Sequence, residues 1–309
     1  MLRKVTFNNR GLKVAGVLYY PRDYRRGEKR PGIVTGHPTG GVKEQTAGLY
    51  SRRLADKGFI TLAYDCTYQG ESEGEPRHLE DPSARVEDIK SAVSFLSSLE
   101  EVDAERIGGL GICASGGYLP FAAQTDRRIK AVATVSAVCL GTMYREGLGG
   151  GQSREALATI LDAAAMDRTD QAKGRPPILQ HIVPSTAAEM TKDTPQGFRE
   201  AFEYYRTPRA QHPNSQNFQV VSSMDLIIGY ESYERMNLIS PRPLLMIAGT
   251  EADTRYFSEK ALGKAQEPKE LFLIKGATHV ALYDKEEYVG PALSKIESFF
   301  KQHLVNKVA

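Results

Sequence analysis

The sequence has little cysteine and no excess of charge of either sign. Its three cysteines, Cys66, Cys113 and Cys139, are too few and too scattered for a disulfide framework or a zinc site, and they fit a reducing compartment. The 40 Lys and Arg residues nearly balance the 38 Asp and Glu residues, which leaves a formal net charge of +2. That balance predicts no basic surface for nucleic acid or for an anionic membrane.

Long apolar runs are absent as well. No stretch approaches the roughly 18 to 20 apolar residues that cross a bilayer. The N-terminal stretch MLRKVTFNNRGLKVAGVLYYPRDY lacks the apolar segment of a signal peptide and predicts two strands. No His, Asp or Glu pair stands at metal-ligand spacing on a predicted helix. We therefore expect a cytoplasmic protein without metal or cofactor, whose oligomeric state, monomer or homo-oligomer, stays open.

Strand and helix patterns alternate over most of the chain. A hairpin is predicted from residues 4–9 and 12–21, and apolar strands follow at 31–37, 59–65, 106–112 and 130–138. Helical patterns separate these strands, and one begins at an Asp81–Pro82 start signal. This alternation predicts an α/β fold: a mostly parallel central sheet with right-handed crossovers and helices on both faces.

The alternation stops between about residues 141 and 240, and it resumes with strands at 243–250 and 269–276. A hundred residues is far longer than an ordinary connection, so we predict an inserted, largely helical cap. The predicted organisation is a core built from residues 1–140 and 241–309, with the cap at 141–240. Several large cap residues form either an apolar lid or the core of the cap itself: Met143, Tyr144, Tyr204, Tyr205, Met224 and Tyr230.

The stretch GGLGICASGGY, residues 108–118, carries the chemical signal. A dinucleotide fingerprint would need glycine where Ala114 stands, and no Gly-Lys-Ser/Thr follows to make a Walker loop. Two interpretations fit the stretch. One is a glycine-assisted strand-to-helix corner in which Cys113 is inert. The other is a nucleophile elbow, a strained turn whose reactive residue is flanked by small residues.

Cys113 and Ser115 both have small neighbours at the required spacing. Cys113 falls where the predicted strand ends and the helix begins, whereas Ser115 falls inside the first helical turn. The positive end of that helix would lower the pKa of a thiol at Cys113 and favour the thiolate. We favour Cys113 as the nucleophile and keep Ser115 as the alternative.

At this point the chain resembles a known family. It resembles the α/β-hydrolase fold over most of its length, and the elbow is similar to the cysteine elbow of dienelactone hydrolases. A closer resemblance is to a bacterial and fungal branch that includes polyketide transferases and thiohydrolases. The segments that carry it are GHPTGGVKEQ, ICASGGY, GTEADTRYFSE and GATHVALYD, in this order. Ser115 departs from the dienelactone enzymes, which carry glycine there.

The resemblance implies a triad in the order nucleophile, acid, histidine. His279, in the loop after the last strand, is the implied base. Asp253 is the implied acid, with Glu251 as the alternative. The acid would accept a hydrogen bond from one imidazole nitrogen, so that the other nitrogen serves Cys113.

Acyl chemistry also needs two main-chain N–H donors for the oxyanion. The amide of Ala114 is one expected donor. Thr39 is the best candidate for the other, with Gly40 behind it, since Pro38 has no N–H. Together these residues predict a hydrolase that cleaves an ester, lactone or thioester of a small-molecule acyl substrate. Two alternatives stay open: an acyl or polyketide transferase with the same residues, and a degenerate hydrolase that binds a small ligand without turnover.

Overall fold

The computed structural model describes residues 1–306 as strands and helices that largely follow the predicted order. The strands are β1 (Leu2–Asn9), β2 (Leu12–Tyr19), β3 (Arg30–Gly36), β4 (Ile60–Tyr64), β5 (Val102–Ile112), β6 (Ile129–Val135), β7 (Leu179–His181), β8 (Phe218–Val220), β9 (Leu244–Gly249) and β10 (Lys269–Ile274). The helices are α1 (Thr46–Ala55), α2 (Pro82–Ser97), α3 (Ser115–Thr125), α4 (Leu140–Glu146), α5 (Arg154–Ala172), α6 (Gln196–Arg206), α7 (Ser223–Ile228), α8 (Arg255–Lys264), α9 (Ala281–Asp284) and α10 (Glu286–Phe300).

Eight of these strands form one sheet in the order β1-β2-β4-β3-β5-β6-β9-β10. The pairs β1/β2 and β2/β4 are antiparallel, and the other neighbours are parallel. The predicted fold class, a mostly parallel sheet with helices around it, is confirmed. The predicted helix start is also present, because the Asp81 side chain accepts a hydrogen bond from the Ser83 amide and Pro82 opens α2.

Strand β5 lies in the middle of the sheet, and helices cover both of its faces. Its residues from 107 to 112 are all buried. A Cβ added at Gly108 would lie 2.7 Å from the Phe300 ring of α10, and one added at Gly109 would lie 2.5 Å from Leu119 of α3. Both helices approach the strand closely because it has no side chains at these positions. The central strand therefore holds its carboxyl end, where the elbow lies, in a fixed place.

The segment from 141 to 240, here called the cap, contains most of α4 together with α5, α6 and α7. It also contains a small antiparallel sheet of β7 and β8, in which Leu179 pairs with Val220 and His181 with Phe218. The sequence did not predict this sheet, because each strand is only three residues long and follows a proline- or asparagine-rich stretch. Ile182 and Val183, which directly follow β7, line the pocket described next.

Candidate active site

Cys113 lies in the sharp turn between β5 and α3. Its φ angle is +56°, a left-handed conformation that costs a residue with a side chain on the order of 1 kcal/mol or more. Three main-chain hydrogen bonds hold the turn. The Cys113 amide donates to the Val135 carbonyl (3.0 Å), and the amides of Gly116 (2.8 Å) and Val138 (3.0 Å) donate to the Cys113 carbonyl. The turn has the strained geometry of a nucleophile elbow.

Small residues around Cys113 are required by close main-chain contacts. A Cβ added at Gly111 would lie 2.1 Å from the Ser115 carbonyl oxygen. One added at Gly116 would lie 2.6 Å from the Ala137 Cα. Both contacts are with main-chain atoms and are shorter than 3.0 Å, so a side chain at either position would force the backbone to shift.

Ser115, the alternative nucleophile, has its side chain on the other side of the turn. Its hydroxyl donates a 2.6 Å hydrogen bond to the His37 carbonyl and is buried. Ser115 is not among the residues that line the pocket in front of Cys113. The structure thus brings Cys113, and not Ser115, to this pocket.

The pocket in front of Cys113 has a volume of about 100 Å³ and a largely apolar wall. Core residues Thr39, Asp253 and His279 line it, whereas Glu251 does not. The cap supplies the apolar wall through Met143, Tyr144, Leu148, Ile182, Val183, Phe198, Ala201 and Tyr205. Of the six large cap residues singled out from the sequence, Met143, Tyr144 and Tyr205 line the pocket, and Tyr204, Met224 and Tyr230 do not.

His279 is buried in the loop between β10 and α9. Ser136 donates to its carbonyl (2.9 Å), which ties this loop to the end of β6. Its Nδ1 lies 2.6 Å from the Thr254 hydroxyl oxygen, and its Nε2 lies 3.0 Å from the Tyr283 hydroxyl oxygen. Burial lowers the pKa of His279 to about 4, so the imidazole is neutral at pH 7 and able to accept a proton.

Asp253 lines the same pocket, but its carboxylate does not contact His279. Its Oδ2 accepts a hydrogen bond from the Gly197 amide of the cap (3.2 Å), and Thr254 occupies the position at Nδ1 where the acid was expected. Desolvation raises the pKa of Asp253, while the Gly197 amide acts in the opposite direction. Glu251 is exposed and accepts a hydrogen bond from the Thr250 hydroxyl (3.1 Å). Neither predicted acid is paired with the base in this conformation.

The thiol of Cys113 is not activated by the helix behind it, contrary to the sequence-based expectation. Burial raises the pKa of the thiol, and the nearby Tyr283 hydroxyl and the Ala114 amide lower it only in part. The desolvation of a thiolate beneath the cap outweighs the positive end of the helix. The free site therefore holds a neutral thiol and a neutral imidazole.

Tyr283 connects these two groups, and the sequence reasoning missed it. Its buried hydroxyl oxygen lies 3.0 Å from His279 Nε2, and Tyr283 lines the same pocket as Cys113. The signal was present in GATHVALYD, because a spacing of four residues puts His279 and Tyr283 on one side of a helical turn. Burial raises the pKa of Tyr283 well above its usual value, so its hydroxyl stays neutral.

The two expected oxyanion donors flank Cys113. Within residues 1–306, neither the Thr39 nor the Ala114 amide donates to a main-chain carbonyl. The Thr39 hydroxyl donates to Glu80 Oε2 (3.0 Å). Glu80 is buried in an ion pair with Arg85 (3.0 Å) and accepts a hydrogen bond from Tyr118 (2.9 Å). This buried pair, which no sequence pattern indicated, anchors the loop of Thr39 from beneath.

The fold, the elbow and the order of these residues define the class of protein. The family model described as "Alpha/beta hydrolase family" matches residues 23–290, and the chain belongs to this family. Uncharacterized protein YcjY of Escherichia coli K12 is 38% identical over 98% of this chain and 100% of its own length. PA2218 of Pseudomonas aeruginosa is 39% identical over 98% of this chain and 81% of its own length. The crystal structure of PA2218 superposes with a TM-score of 0.92 over 98% of this chain and 94% of that one.

More distant relatives carry names that state an activity. "Polyketide transferase claH" of Penicillium crustosum is 27% identical over 81% of both chains. "Thiohydrolase aneE" of Aspergillus aculeatus is 34% identical over 44% of this chain and 41% of its own length. The predicted resemblance to a group that includes such proteins is confirmed at the level of the family.

Two further observations apply to residues 1–306. No group of three or more His, Cys, Asp and Glu side chains is arranged to hold a metal ion in this part of the chain. None of its helices combines the length and the apolar character needed to span a membrane.

Proposed function

We propose that this protein hydrolyses an ester, lactone or thioester through an acyl-enzyme on Cys113, with His279 as the base. The observation that carries the proposal is the geometry of the elbow. Cys113 is held at φ +56° at the wall of an apolar pocket, with a neutral imidazole one hydroxyl group away. A structural cysteine needs neither the strained turn nor the pocket.

The nucleophile forms by proton transfer through Tyr283. In the tautomer that can act as a base, His279 Nδ1–H donates to Thr254 and Nε2 accepts from the Tyr283 hydroxyl. The thiol proton passes to the Tyr283 oxygen while the Tyr283 proton passes to Nε2. Tyr283 stays neutral throughout, and the result is a thiolate and an imidazolium.

The thiolate then attacks the acyl carbonyl carbon. The amides of Ala114 and Thr39 stabilise the oxyanion, each donor contributing about 3 to 4 kcal/mol in related sites. The leaving group takes the proton back from His279, and water, activated by the same imidazole, releases the acid. A thiolate leaves as readily as it attacks, so activated acyl groups suit this site better than amides do.

Asp253 is the proposed acid of the triad. A buried imidazolium without a counter-charge is unfavourable, as the pKa of about 4 for His279 indicates. Asp253 is the carboxylate that lines the pocket next to Thr254. We infer that it exchanges its bond with Gly197 for one with His279 as the imidazolium forms.

Mass spectrometry after brief exposure to activated esters and thioesters tests the proposal. We expect an acyl adduct on the Cys113 peptide of the wild type and of Ser115→Ala, and none on Cys113→Ala. An adduct lost only in Ser115→Ala would move the nucleophile by two residues. No adduct and no turnover with any donor would favour a ligand-binding protein.

Acyl transfer is the alternative to hydrolysis, because the transferase named above shares the family. Both reactions use the same acyl-enzyme and differ in the acceptor. The partition of a preformed adduct between water and added alcohols or thiols separates them. Release of free acid at an acceptor-independent rate indicates a hydrolase.

A further inference from the structure

A second cavity, of about 730 Å³, lies in the cap and carries nitrogen-bearing side chains. Arg206, His181 and His212 line it together with polar side chains such as Gln211 and Gln216. No Asp or Glu is among its lining residues in the described part of the chain. Arg206 therefore supplies the fixed charge among these lining residues, and this charge is positive, whereas the pocket at Cys113 is mainly apolar.

Arg206, the last residue of α6, forms no ion pair with any Asp or Glu of residues 1–306. Its Nε is buried and has no hydrogen-bond partner within residues 1–306. The arginines before and after it are satisfied: Arg199 donates to the Thr194 carbonyl (3.0 Å), and Arg209 donates to Asp284 (2.9 Å). A buried Nε without a partner is unfavourable, and an anion next to the part of the Arg206 side chain that lines the cavity would neutralise the charge of the guanidinium.

Both histidines of the cavity have partners of their own, so Arg206 is the side chain available to bind such a ligand. His181 Nδ1 lies 3.7 Å from a Glu189 carboxylate oxygen, and His212 Nδ1 accepts a hydrogen bond from the Asn214 amide (3.3 Å). A planar guanidinium with free N–H groups binds phosphate or carboxylate oxygens in pairs.

The second cavity lies next to the pocket of Cys113, because residues that are neighbours in the sequence line the two. Tyr205 lines the pocket and Arg206 lines the cavity; likewise Ile182 lines the pocket and His181 the cavity. Ser215 of the cavity donates to the Gly40 carbonyl (2.6 Å), directly after the oxyanion residue Thr39. The pocket and the cavity share no lining residue among those that the structure describes, so one layer of the chain separates them, and a substrate that reaches both must pass the edge of this layer.

We propose that the second cavity binds an anionic group, a phosphate or a carboxylate, on the leaving-group side of the acyl substrate, through Arg206. This inference rests on the proposed function, because it assumes that the acyl carbonyl lies at Cys113. The proposal implies that the preferred substrates are acyl donors whose leaving group carries a negative charge.

Three thioesters of one acyl group test the proposal. The leaving groups are coenzyme A, which carries phosphates, 3-mercaptopropionate, which carries a carboxylate, and N-acetylcysteamine, which is neutral. In Arg206→Gln we expect the ratio of kcat/KM for the preferred anionic thioester to that for the neutral one to fall at least about tenfold, through KM. The anionic thioester whose ratio falls identifies the group. Arg127→Gln removes an exposed charge before β6 and should leave the ratio unchanged.

Binding to the Cys113→Ala protein separates this proposal from the proposed function. Calorimetry should detect binding of one anionic thioester, and adding Arg206→Gln should weaken that binding by a similar factor even if the wild type turns nothing over. Equal loss for charged and neutral thioesters, or binding that Arg206→Gln leaves intact, would overturn the anion site. An absent Cys113 adduct with Arg206-dependent binding would instead overturn the covalent mechanism alone.

Discussion

Replacing Asp253 by asparagine tests whether the carboxylate joins His279 during the reaction. The change keeps an oxygen that can accept the hydrogen bond from the Gly197 amide, so the contact with the cap is retained. It removes only the negative charge. The variant therefore separates the electrostatic role of Asp253 from its structural one.

The size of the effect follows from the burial of His279. Without a carboxylate partner, burial lowers its pKa from 6.5 to about 4, a difference of about 3 kcal/mol or roughly 300-fold in the population of imidazolium. If Asp253 supplies the compensating charge, Asp253→Asn should lower kcat/KM by up to this factor. Because the Asp253 side chain is exposed, solvent screening reduces the expected loss to about a hundredfold.

The assay is the acylation rate of Cys113 and kcat/KM with an activated ester at pH 7. Glu251→Gln is the matched control, since this carboxylate lies two residues away and does not line the pocket. Thr254→Val removes a neutral hydrogen bond at Nδ1, for which we expect a two- to tenfold loss. An Asp253→Asn enzyme within twofold of the wild type, or a larger loss in Glu251→Gln, would refute the assignment of the acid.

Three further outcomes follow from the same site. Tyr283→Phe keeps the ring but removes the proton link, so acylation should slow by about 10²-fold or more with KM little changed; faster acylation would mean that the hydroxyl blocks the thiol. The acid limb of kcat/KM should lie near pH 4 to 5, since the base is active only when neutral and burial lowers its pKa to about 4; a limb centred at 6.5 would contradict a buried His279. Gly111→Ala should cost several kcal/mol of unfolding free energy in urea denaturation, because the added methyl group would lie 2.1 Å from a carbonyl oxygen; a loss below 1 kcal/mol would show that the elbow adapts.

The sequence predicted those parts of the site that depend on main-chain geometry. Strand and helix periodicity located the elbow between residues 106 and 124, and the small residues around Cys113 indicated a turn that excludes side chains. These patterns are local in the sequence, and in the folded protein close contacts between nearby residues determine the geometry of the turn. Gly111 and Gly116 show this most directly, since each lies against main-chain atoms.

The protonation states could not be predicted in the same way, because they depend on burial. The helix behind Cys113 favours a thiolate in isolation, yet the pKa of the buried thiol is raised. The partner of His279 Nδ1 is the Thr254 hydroxyl and not the adjacent Asp253 carboxylate. Which of the two neighbours contacts the imidazole depends on their side-chain rotamers, which the sequence does not specify. The positive charge of Arg206 is notable only because no Asp or Glu of residues 1–306 lines the cavity with it, and the sequence does not show which side chains share a cavity.

Ser115, the residue that departs from the dienelactone pattern, has a physical role in this arrangement. Glycine at this position could not hold the loop of the oxyanion donors, whereas the Ser115 hydroxyl donates to the His37 carbonyl two residues before Thr39 (2.6 Å). The Arg85 guanidinium donates to the same carbonyl (3.2 Å), and its ion pair with Glu80 fixes the Thr39 hydroxyl. The nucleophile turn and the loop of Thr39 are thus joined by side chains buried beneath the pocket. A serine that first suggested a second nucleophile is better explained as a link between the turn of Cys113 and the loop of Thr39, which carry the two proposed oxyanion donors.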